Sequence, residues 1–475
     1  MRELPFPRRI MVPLIVASGL FMENLDAAVL ATALPAIAAE LGENPLRLNL
    51  AITSYLLSFA VFVPVSGWMA DRFGARNVFR AAVIVFTLAS VGCGLSQSLS
   101  DIVISRIVQG LGGAMMTPVG RLVVLRSVTK SELVGAWAYL TVPALIAPVF
   151  GPPLGGFLAT FASWRWIFWI NIPIGVVGLI LVTIYIEDMR QDDVPALDRR
   201  GFLLAALALP ALMFGFENIG RAMVPEAVVL GLLGVGGALL ALYVRHAGRT
   251  ANPLVDLRLL RIATFRAGIA GGFLFRIGTG AMPFLLPLML QLGFGMTPFE
   301  AGLVTFATAA GAIMMKFTMT AILRRIRFRT ALIVNALLSS AFLASCGLFR
   351  PETPVAVMIA VLVIGGYVRS LQFTATNTIS YADLGPSEIS RATSFAAMMQ
   401  QLSLTVGVGA GALFVHLATL RHGGGQPLAT DFGLAFFGVA AIAAVSVAVF
   451  ALLPKEAGLA LRPGAGNEDD RGAVV

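Results

Sequence analysis

Long apolar segments recur from end to end of the chain and alternate with short polar connections. Each segment is close to the roughly 20 residues that a helix needs to cross a bilayer. A spanning helix satisfies its backbone hydrogen bonds internally, so the pattern predicts a helical bundle in lipid. We predict about fourteen transmembrane helices, at residues 10–36, 48–69, 79–97, 101–123, 134–159, 165–186, 201–217, 226–245, 264–291, 298–321, 329–348, 354–377, 391–417 and 431–453.

The composition excludes a water-soluble globular protein. Of the 475 residues, 58% are hydrophobic and only 12% are charged, and the mean hydropathy is +0.87. This is more apolar surface than a soluble domain buries in its core, so lipid must form part of the solvent. We therefore predict an all-α polytopic membrane protein.

The net charge of +9 comes from Lys and Arg residues that stand in short clusters between the apolar segments. They form no basic stripe and no platform interleaved with aromatic residues, which disfavours nucleic-acid binding. Most of them lie on one side of the membrane if both termini lie on that side. Because cytoplasmic loops carry the excess of Lys and Arg, we predict that both termini are cytoplasmic.

Two hydrophilic segments divide the predicted helices into groups. The first, from Glu187 to Arg200, follows six helices, and the second, from Arg245 to Arg266, precedes the last six. The basic loop after Asp71 has a weak echo in the last group, which is typical of a parallel repeat. The predicted organisation is a six-helix bundle at 1–186, a linker with two additional transmembrane helices at 187–262, a six-helix bundle at 263–455 and a disordered cytoplasmic tail at 456–475.

Two carboxylates interrupt the first apolar segment, in the sequence FMENLDAAVLATALP. Glu23 and Asp26 are three residues apart and share one helical face, which we expect to point into the bundle. A charge at mid-membrane costs about 2.5–3.5 kcal/mol, and two neighbouring carboxylates disfavour each other's ionisation. We favour proton coupling for Asp26 over a static ion pair. For Glu23, contact with a substrate cation is an equal alternative.

The fourth segment contains RIVQGLGGAMMTP, in which Arg106, Gln109, Gly110 and Gly113 share one helical face. An arginine inside the membrane needs an acceptor, and Asp26 in the first segment is the carboxylate that we expect it to pair with. Protonation of the carboxylate would break this pair and act as a conformational latch. The alternative is an arginine that bonds backbone carbonyls or reaches the interface for stability alone.

The loop between the second and third segments reads GWMADRFGARNVFR. Gly67 and Gly74 permit tight turns, and Arg72 and Arg76 make the loop basic. A basic loop by itself is only a topology signal. An acid beside arginines can instead form charge-assisted bonds that hold two helical blocks in one orientation, so Asp71 is a candidate gating residue.

The fifth segment, PALIAPVFGPPLGGFLA, combines small residues with prolines. Gly151 and Gly155 lie on a stripe of small residues that favours close helix packing, and Pro152 and Pro153 predict a kink. Tight packing is the simpler interpretation. A kink that seals the bilayer against leak is the functional alternative.

Cations also occur deep in the second half of the chain, at Arg276, Lys316 and Arg369. They could bind an anionic substrate or pair with Glu23. Lys316 and Arg369 could instead extend to the membrane interface, so Arg276 is the better pocket candidate. We assign the substrate cavity to Glu23, Gln109, Arg276, Lys316, Gln372 and Asn377.

Several chemistries have no signature in the sequence. There is no Gly-rich phosphate loop with GK[ST], no cluster of His or Cys at metal-ligand spacing and no nucleophile triad. Cys93 and Cys346 each lie alone in an apolar stretch, which predicts buried thiols. We therefore expect neither an enzyme nor an ATP-driven pump, and no cofactor or metal.

The segments LDAAVLATALP, GWMADRFGARNVF, RIVQGLGGAMMTP and GPPLGG, followed by WRWIFWINIPIG, resemble those of the major facilitator superfamily. Over roughly residues 10–455 the chain looks like its fourteen-span drug:proton antiporter family, close to multidrug-efflux members of Gram-negative inner membranes. The resemblance implies two six-helix bundles related by a pseudo-twofold axis, a central cavity, alternating access and two extra helices between the bundles. It also implies a multi-pass protein of the bacterial inner membrane.

The resemblance further implies roles for particular residues. Asp26 corresponds to the acidic motif of the first helix, and Arg106 to the family's membrane arginine. Glu23 and Arg369 depart from the family pattern, which often has an uncharged and a small residue at these places. The gating loop corresponds to Gly67, Asp71, Arg72, Gly74 and Arg76, and the antiporter motif, which implies export, to Gly151, Pro152, Gly155 and Gly156.

These observations predict a proton-coupled secondary transporter that exports small, largely hydrophobic compounds. Its partners would be the substrate, protons and the lipid bilayer, and the sequence leaves open a periplasmic adaptor and an outer-membrane channel. The alternative is a proton-coupled symporter that takes up an organic anion, with Arg276 and Lys316 as carboxylate ligands. A non-transporting membrane sensor is the least favoured hypothesis, because Asp26 and Arg106 are both present.

Overall fold

The computed structural model describes residues 7–43, 48, 50–188, 190–191, 193–219, 224–423 and 426–461, and the regular structure within them is helical. The predicted tail beyond residue 461 lies outside these residues. The long helices are α1 (Arg8–Leu41), α2 (Leu50–Phe73), α3 (Ala75–Leu95), α4 (Leu99–Ser127), α5 (Leu133–Phe161), α6 (Trp166–Tyr185), α7 (Arg199–Asn218), α8 (Glu226–Ala247), α9 (Ala263–Gly293), α10 (Pro298–Arg325), α11 (Phe328–Cys346), α12 (Val355–Ser380), α13 (Ile389–Leu420) and α14 (Ala429–Ala451).

The lengths and composition of these helices suit a membrane. Thirteen of the described helices are long and apolar enough to cross a bilayer, and α5, with 29 residues, lies between two of them in the chain. Large apolar side chains such as Leu88 and Phe317 are exposed, as expected for surfaces that face lipid. The chain is therefore a multi-pass membrane protein.

The first six and the last six helices pack in the same pattern. In the first six, α1 packs on α5, α2 on α4 and α3 on α6. In the last six, α9 packs on α13, α10 on α12 and α11 on α14. Each helix thus has the same neighbour in both halves, which is the geometry of a parallel repeat.

The two middle helices attach differently. Helix α7 packs on α2 of the first bundle and α13 of the second, and α8 packs chiefly on α7. Asp198 caps the start of α7 and accepts a hydrogen bond from Nε2 of His246, at the end of α8, over 2.8 Å. Trp68 Nε1 donates to the Pro195 carbonyl, 2.9 Å away, and so ties the segment before α7 to α2.

Both ends of the described chain lie at the same end of the helix bundle. Arg8, at the start of α1, forms an ion pair with Glu187, which follows α6. The short helical turn Leu459–Leu461 packs against the turn Lys130–Glu132 between α4 and α5. This end also carries the loop after Asp71, and we call it the Asp71 end.

Helix α4 approaches its neighbours closely through glycines. A Cβ atom on Gly110 would lie 2.5 Å from the Tyr55 carbonyl oxygen and 2.8 Å from the Ser58 side chain, both on α2. A Cβ atom on Gly112 would lie 2.9 Å from the Phe86 backbone nitrogen on α3. These glycines therefore let the helix backbones approach closely and place the polar face of α4 against α2 and α3.

This packing predicts that Gly110→Val destabilises the first bundle. The added isopropyl group must displace α2, and overpacking of this kind costs about 1–3 kcal/mol. The melting temperature of the purified protein in detergent should fall by several degrees. Gly237→Val on α8 is the matched control, because nothing lies within 4 Å of its Cβ position. An equal effect of both substitutions would contradict the close approach of α4 to α2.

Candidate functional site

Asp26 and Arg106 form an ion pair in the interior of the first bundle. Nη1 of Arg106, on α4, donates a hydrogen bond to Oδ2 of Asp26, on α1. Asp26 is 2% exposed and Arg106 is 1% exposed, so neither charge reaches lipid or solvent. The structure thus brings together the two charged residues that the sequence analysis paired across α1 and α4.

Neutral polar groups from three helices surround the pair. Gln109 Nε2 and Asn171 Nδ2, on α4 and α6, donate to Asp26 Oδ1 over 3.0 and 3.1 Å. Gln109 Oε1 accepts from Arg106 Nη1 over 2.6 Å. Both amide groups also donate to Ser90 Oγ on α3, at 2.9 and 3.3 Å. The carboxylate therefore connects α1 directly to α4 and α6, and through the two amides to α3.

The guanidinium has further partners on α2. Arg106 Nε donates to the Ala51 carbonyl over 3.0 Å, and the guanidinium carbon lies 4.6 Å from the centre of the Tyr55 ring. Arg106 thus bonds to a backbone carbonyl as well as to a carboxylate. Removing only the carboxylate would leave a buried cation with neutral partners, a change that typically costs about 3–5 kcal/mol.

Gln109 has a different place from the one the sequence suggested. We expected it in the substrate cavity, but it is fully buried, and its amide oxygen and nitrogen both bond within the Asp26 network. Its position three residues after Arg106 puts it on the same helical face, which turns into the first bundle.

Glu23 lies outside this network although it shares a face of α1 with Asp26. The side chain is half-buried, and its Oε2 accepts a hydrogen bond from Thr117 Oγ1 on α4, 2.8 Å away. Arg121, one turn further along α4, lies within its electrostatic reach. Among the described contacts the Glu23 carboxylate bonds to a hydroxyl, and the pairing with a cation of the second half that the sequence left open is not formed.

The Asp71 loop joins the two bundles. Asp71 Oδ1 accepts from Arg126 Nη2 on α4 over 2.9 Å, and Oδ2 accepts from the Ser390 hydroxyl at the start of α13. We expected the loop's own arginines as partners. Instead Arg76 donates to the Ile186 carbonyl over 3.5 Å, and Arg72 is exposed. The carboxylate is turned inward, so a helix of its own bundle supplies the cation.

We expected tight turns at Gly67 and Gly74, but Gly67 lies within α2, and Gly74 alone of the two separates α2 from α3. A Cβ atom on Gly67 would lie 2.6 Å from Ser394 Oγ and 2.9 Å from the Ser390 carbonyl carbon, so α13 needs this position free. Gly74 adopts a φ of 88° between α2 and α3, a backbone conformation that glycine adopts without strain.

Further contacts close the gap between the bundles at the Asp71 end. Ser66 Oγ and Ser394 Oγ are 2.9 Å apart, and Lys130 Nζ donates to the Ala382 carbonyl over 2.7 Å. The rings of Trp137, on α5, and Tyr381, just after α12, stack with centroids 6.2 Å apart and an interplanar angle of 19°. All of these contacts join the first bundle to the second at one end.

The antiporter-motif residues on α5 have unequal surroundings. Gly151 contacts Ala28 on α1, two residues from Asp26, and α1 and α5 form the most extensive contact among the described helices. Gly155 is buried, whereas nothing lies within 4 Å of the Cβ position of Gly156. The side chain of Pro152 lies outside the described residues.

The predicted polar residues of the second bundle mostly bond within that bundle. Arg276 Nη2 donates to Asn377 Oδ1 over 3.0 Å, and Lys316 Nζ donates to Thr374 Oγ1 over 2.7 Å. Gln372 Oε1 accepts from the Asn335 amide over 3.3 Å. Arg369 is half-buried. None of the cations that we assigned here has a carboxylate partner among the described ion pairs.

Four important partners had little signal in the sequence: Asn171, Arg126, Ser390 and Tyr381. Asn171 could have been found as an amide inside the apolar run WINIPIG. In the sequence, Arg126 is a basic residue near the end of an apolar segment, where it indicates only topology. Ser390 lies more than 300 residues from its partner Asp71 in the chain. Tyr381 lies more than 250 residues from Arg121, whose side chain it contacts, and only the folded structure brings these residues together.

The chain matches a family model and close relatives over most of its length. The model described as Major Facilitator Superfamily matches residues 16–408 and 268–472. "Putative multidrug resistance protein MdtD" of Salmonella typhimurium strain LT2 is 38% identical over 454 residues, covering 93% of this chain and 94% of the relative. The protein of the same name from Salmonella typhi is 37% identical over the same shares.

Solved transporters share the fold. The human organic anion transporter MFSD10 (TETRAN) superposes with a TM-score of 0.65 at 15% identity, covering 94% of this chain and 100% of that one. The proton:xylose symporter XylE gives a TM-score of 0.64 at 14% identity, covering 95% and 97%. Together with the family match, these findings show that the chain belongs to the major facilitator superfamily and is a membrane transporter rather than an enzyme.

Proposed function

We propose that this chain exports small, largely hydrophobic compounds in exchange for protons, by alternating access between two sides of the membrane. The proton gradient supplies the energy, and no cofactor takes part. The relatives at 37–38% identity carry the name of a multidrug resistance protein, which supports an outward direction for this chain too. Its place is the bacterial inner membrane.

The charge distribution supports an orientation with the Asp71 end in the cytoplasm. The basic clusters at 72–80, 245–266 and 325–329 lie at this end, whereas Arg165, Arg350 and Arg421 lie at the opposite end. By the positive-inside rule, this distribution supports a cytoplasmic location for both ends of the described chain.

The observation that carries the proposal is the buried ion pair between Asp26 and Arg106. A proton that reaches Asp26 neutralises the carboxylate and removes its attraction to Arg106, while the neutral partners Gln109 and Ala51 remain available to the guanidinium. Since Asp26 on α1 bonds to side chains of α4 and α6, and their amides bond to α3, its protonation state biases how these helices pack. Glu23, turned towards Thr117 and Arg121, is placed to sense the substrate or a second proton.

The contacts at the Asp71 end support assignment of this conformation to the state closed towards the cytoplasm. Asp71 bridges Arg126 of the first bundle and Ser390 of the second, next to the close approach of Gly67 to α13. Opening to the cytoplasm must break these bonds. The loop therefore acts as a gate whose strength depends on one carboxylate.

This proposal predicts that Asp26→Asn abolishes proton-coupled transport. In inverted vesicles with an acidic interior, native protein should release protons when tetraphenylphosphonium or chloramphenicol is added, and the variant should show only background release. Asparagine keeps the shape but cannot exchange a proton. The measurement is the recovery of a pH-sensitive dye's fluorescence, with the amount of folded protein matched.

Glu40→Gln is the matched control for this experiment. Glu40 is the acidic partner of an arginine, Arg165, and lies on the same helix, but half of its side chain is exposed. Exposed pairs contribute about 0–1 kcal/mol, so proton release should stay close to native. Native activity in Asp26→Asn would overturn the proposed coupling. Proton movement in the same direction as the substrate would establish symport and overturn the export assignment.

Loss of the Asp71 carboxylate should loosen the contacts that close the Asp71 end. In a Ser394→Cys background, a maleimide should label the introduced thiol slowly, because Ser394 is 2% exposed and the native Cys93 and Cys346 are both buried. Adding Asp71→Asn should raise the labelling rate severalfold, because an amide holds Arg126 and Ser390 less strongly. Asp101→Asn, an exposed helix cap at the opposite end, should leave the rate unchanged. Equal rates in all three proteins would exclude Asp71 as a gate residue.

A further inference from the structure

Two arginines of opposite bundles are buried close to each other at the Asp71 end. Arg121, on α4, is 5% exposed, and Arg276, on α9, is 4% exposed. Arg276 lies within the electrostatic reach of Arg121, and Tyr381 lies within the reach of both. Glu23 is the carboxylate within reach of Arg121. One negative charge therefore faces two positive charges, and the cluster has a net positive charge in a nearly dry environment.

Several hydrogen-bond donors of this cluster have no partner. Nε and Nη1 of Arg121 and Nε of Arg276 are buried without a hydrogen bond among the described residues, as is the Trp137 indole nitrogen. The Tyr381 hydroxyl lies against the Arg121 side chain. Unpaired buried donors are uncommon, because each costs the hydrogen bond that it made with water. In contrast, the Asp26 network supplies acceptors to Arg106. The arginine cluster has fewer acceptors than donors.

Apolar rings line the same place. The Arg121 guanidinium carbon lies 5.8 Å from the centre of the Trp137 ring, which stacks on Tyr381. The guanidinium carbon of Arg276 lies 5.5 Å from the centre of the Phe373 ring. The site therefore offers two forked donors beside flat apolar surfaces, and that chemistry fits an acid with an aromatic or other flat apolar body.

From these observations we infer that Arg121 and Arg276 together bind the carboxylate group of an amphiphilic organic acid, and that such acids are among the transported substrates. A carboxylate has about four lone-pair positions and can accept from both guanidinium groups at once. The two arginines come from different bundles, so an anion between them removes their mutual repulsion as the bundles close at the Asp71 end. Binding and closure then favour each other.

Calling the ligand a substrate rests on the proposed transport activity, whereas binding itself can be tested without it. The probe is 2-naphthoate, and its uncharged amide, 2-naphthamide, has nearly the same shape. Purified full-length protein should gain several degrees in melting temperature at saturating 2-naphthoate and none with 2-naphthamide, since ligand binding to the folded state raises stability. The naphthoate affinity should fall more than tenfold in Arg121→Gln and in Arg276→Gln.

The ligand-free stability of these variants separates binding from a structural role. Removing one of two repelling cations should leave the ligand-free melting temperature unchanged or raise it, whereas loss of a structural arginine would lower it. Arg276→Lys, which keeps the charge but loses the fork, should bind with intermediate affinity. Arg421→Gln, an exposed cation at the opposite end, is the control and should bind as native protein does.

The inference is overturned if 2-naphthamide binds as tightly as 2-naphthoate, if Arg121→Gln and Arg276→Gln bind like native protein, or if Arg421→Gln loses affinity equally.

Acetate tests whether the site binds any small carboxylate or a transported organic acid. If acetate saturates the site and 2-naphthoate evokes no transport, the substrate assignment is wrong. In Asp26→Asn, naphthoate binding should persist while naphthoate-evoked proton release is lost. Naphthoate-evoked proton release that persists in this variant would overturn the proposed function and leave the binding site standing.

Discussion

A pair of opposite charges buried at bilayer depth, Asp26 and Arg106, constrains the whole first bundle. Neither charge is tolerable alone in a medium without water, so each fixes the position of the helix that carries the other. Amide and hydroxyl groups from α3, α4 and α6 fill the remaining bonding positions. The glycines of α4 then let α2 and α3 approach closely enough to enclose the pair. Packing, hydrogen bonding and charge compensation thus depend on one carboxylate.

The two bundles repeat the same helix pairing but not the same electrostatics. The first bundle compensates its deep arginine with an acid, while Arg276 and Lys316 in the second bundle bond to an amide and a hydroxyl. A repeat that conserves backbone geometry can therefore assign different tasks to its halves. One half holds the carboxylate that we propose exchanges a proton, and the other holds positive charge without a carboxylate partner next to the surface where the bundles meet.

Much of this architecture could be read from the sequence, and the reason is physical. Hydrophobic length determines which segments span the membrane, and helical spacing determines that Arg106 and Gln109 share a face. A lone arginine in an apolar run requires an acceptor, and for Arg106 this requirement led to the prediction of Asp26 as its partner. The partners of Asp71 could not be read in this way. Arg126 and Ser390 meet it through the packing of two bundles, and no spacing within a helix encodes that meeting.

The position of α7 has a consequence for the surrounding lipid. This helix lies on α2 and α13, one from each bundle, and α8 attaches to it from outside with its apolar side chains exposed. If the bundles rock as the proposed alternating access requires, a gap along that side would admit acyl chains into the protein interior. A helix that covers the line where the bundles meet closes this gap, so α7 and α8 make this flank a barrier to lateral entry of lipid.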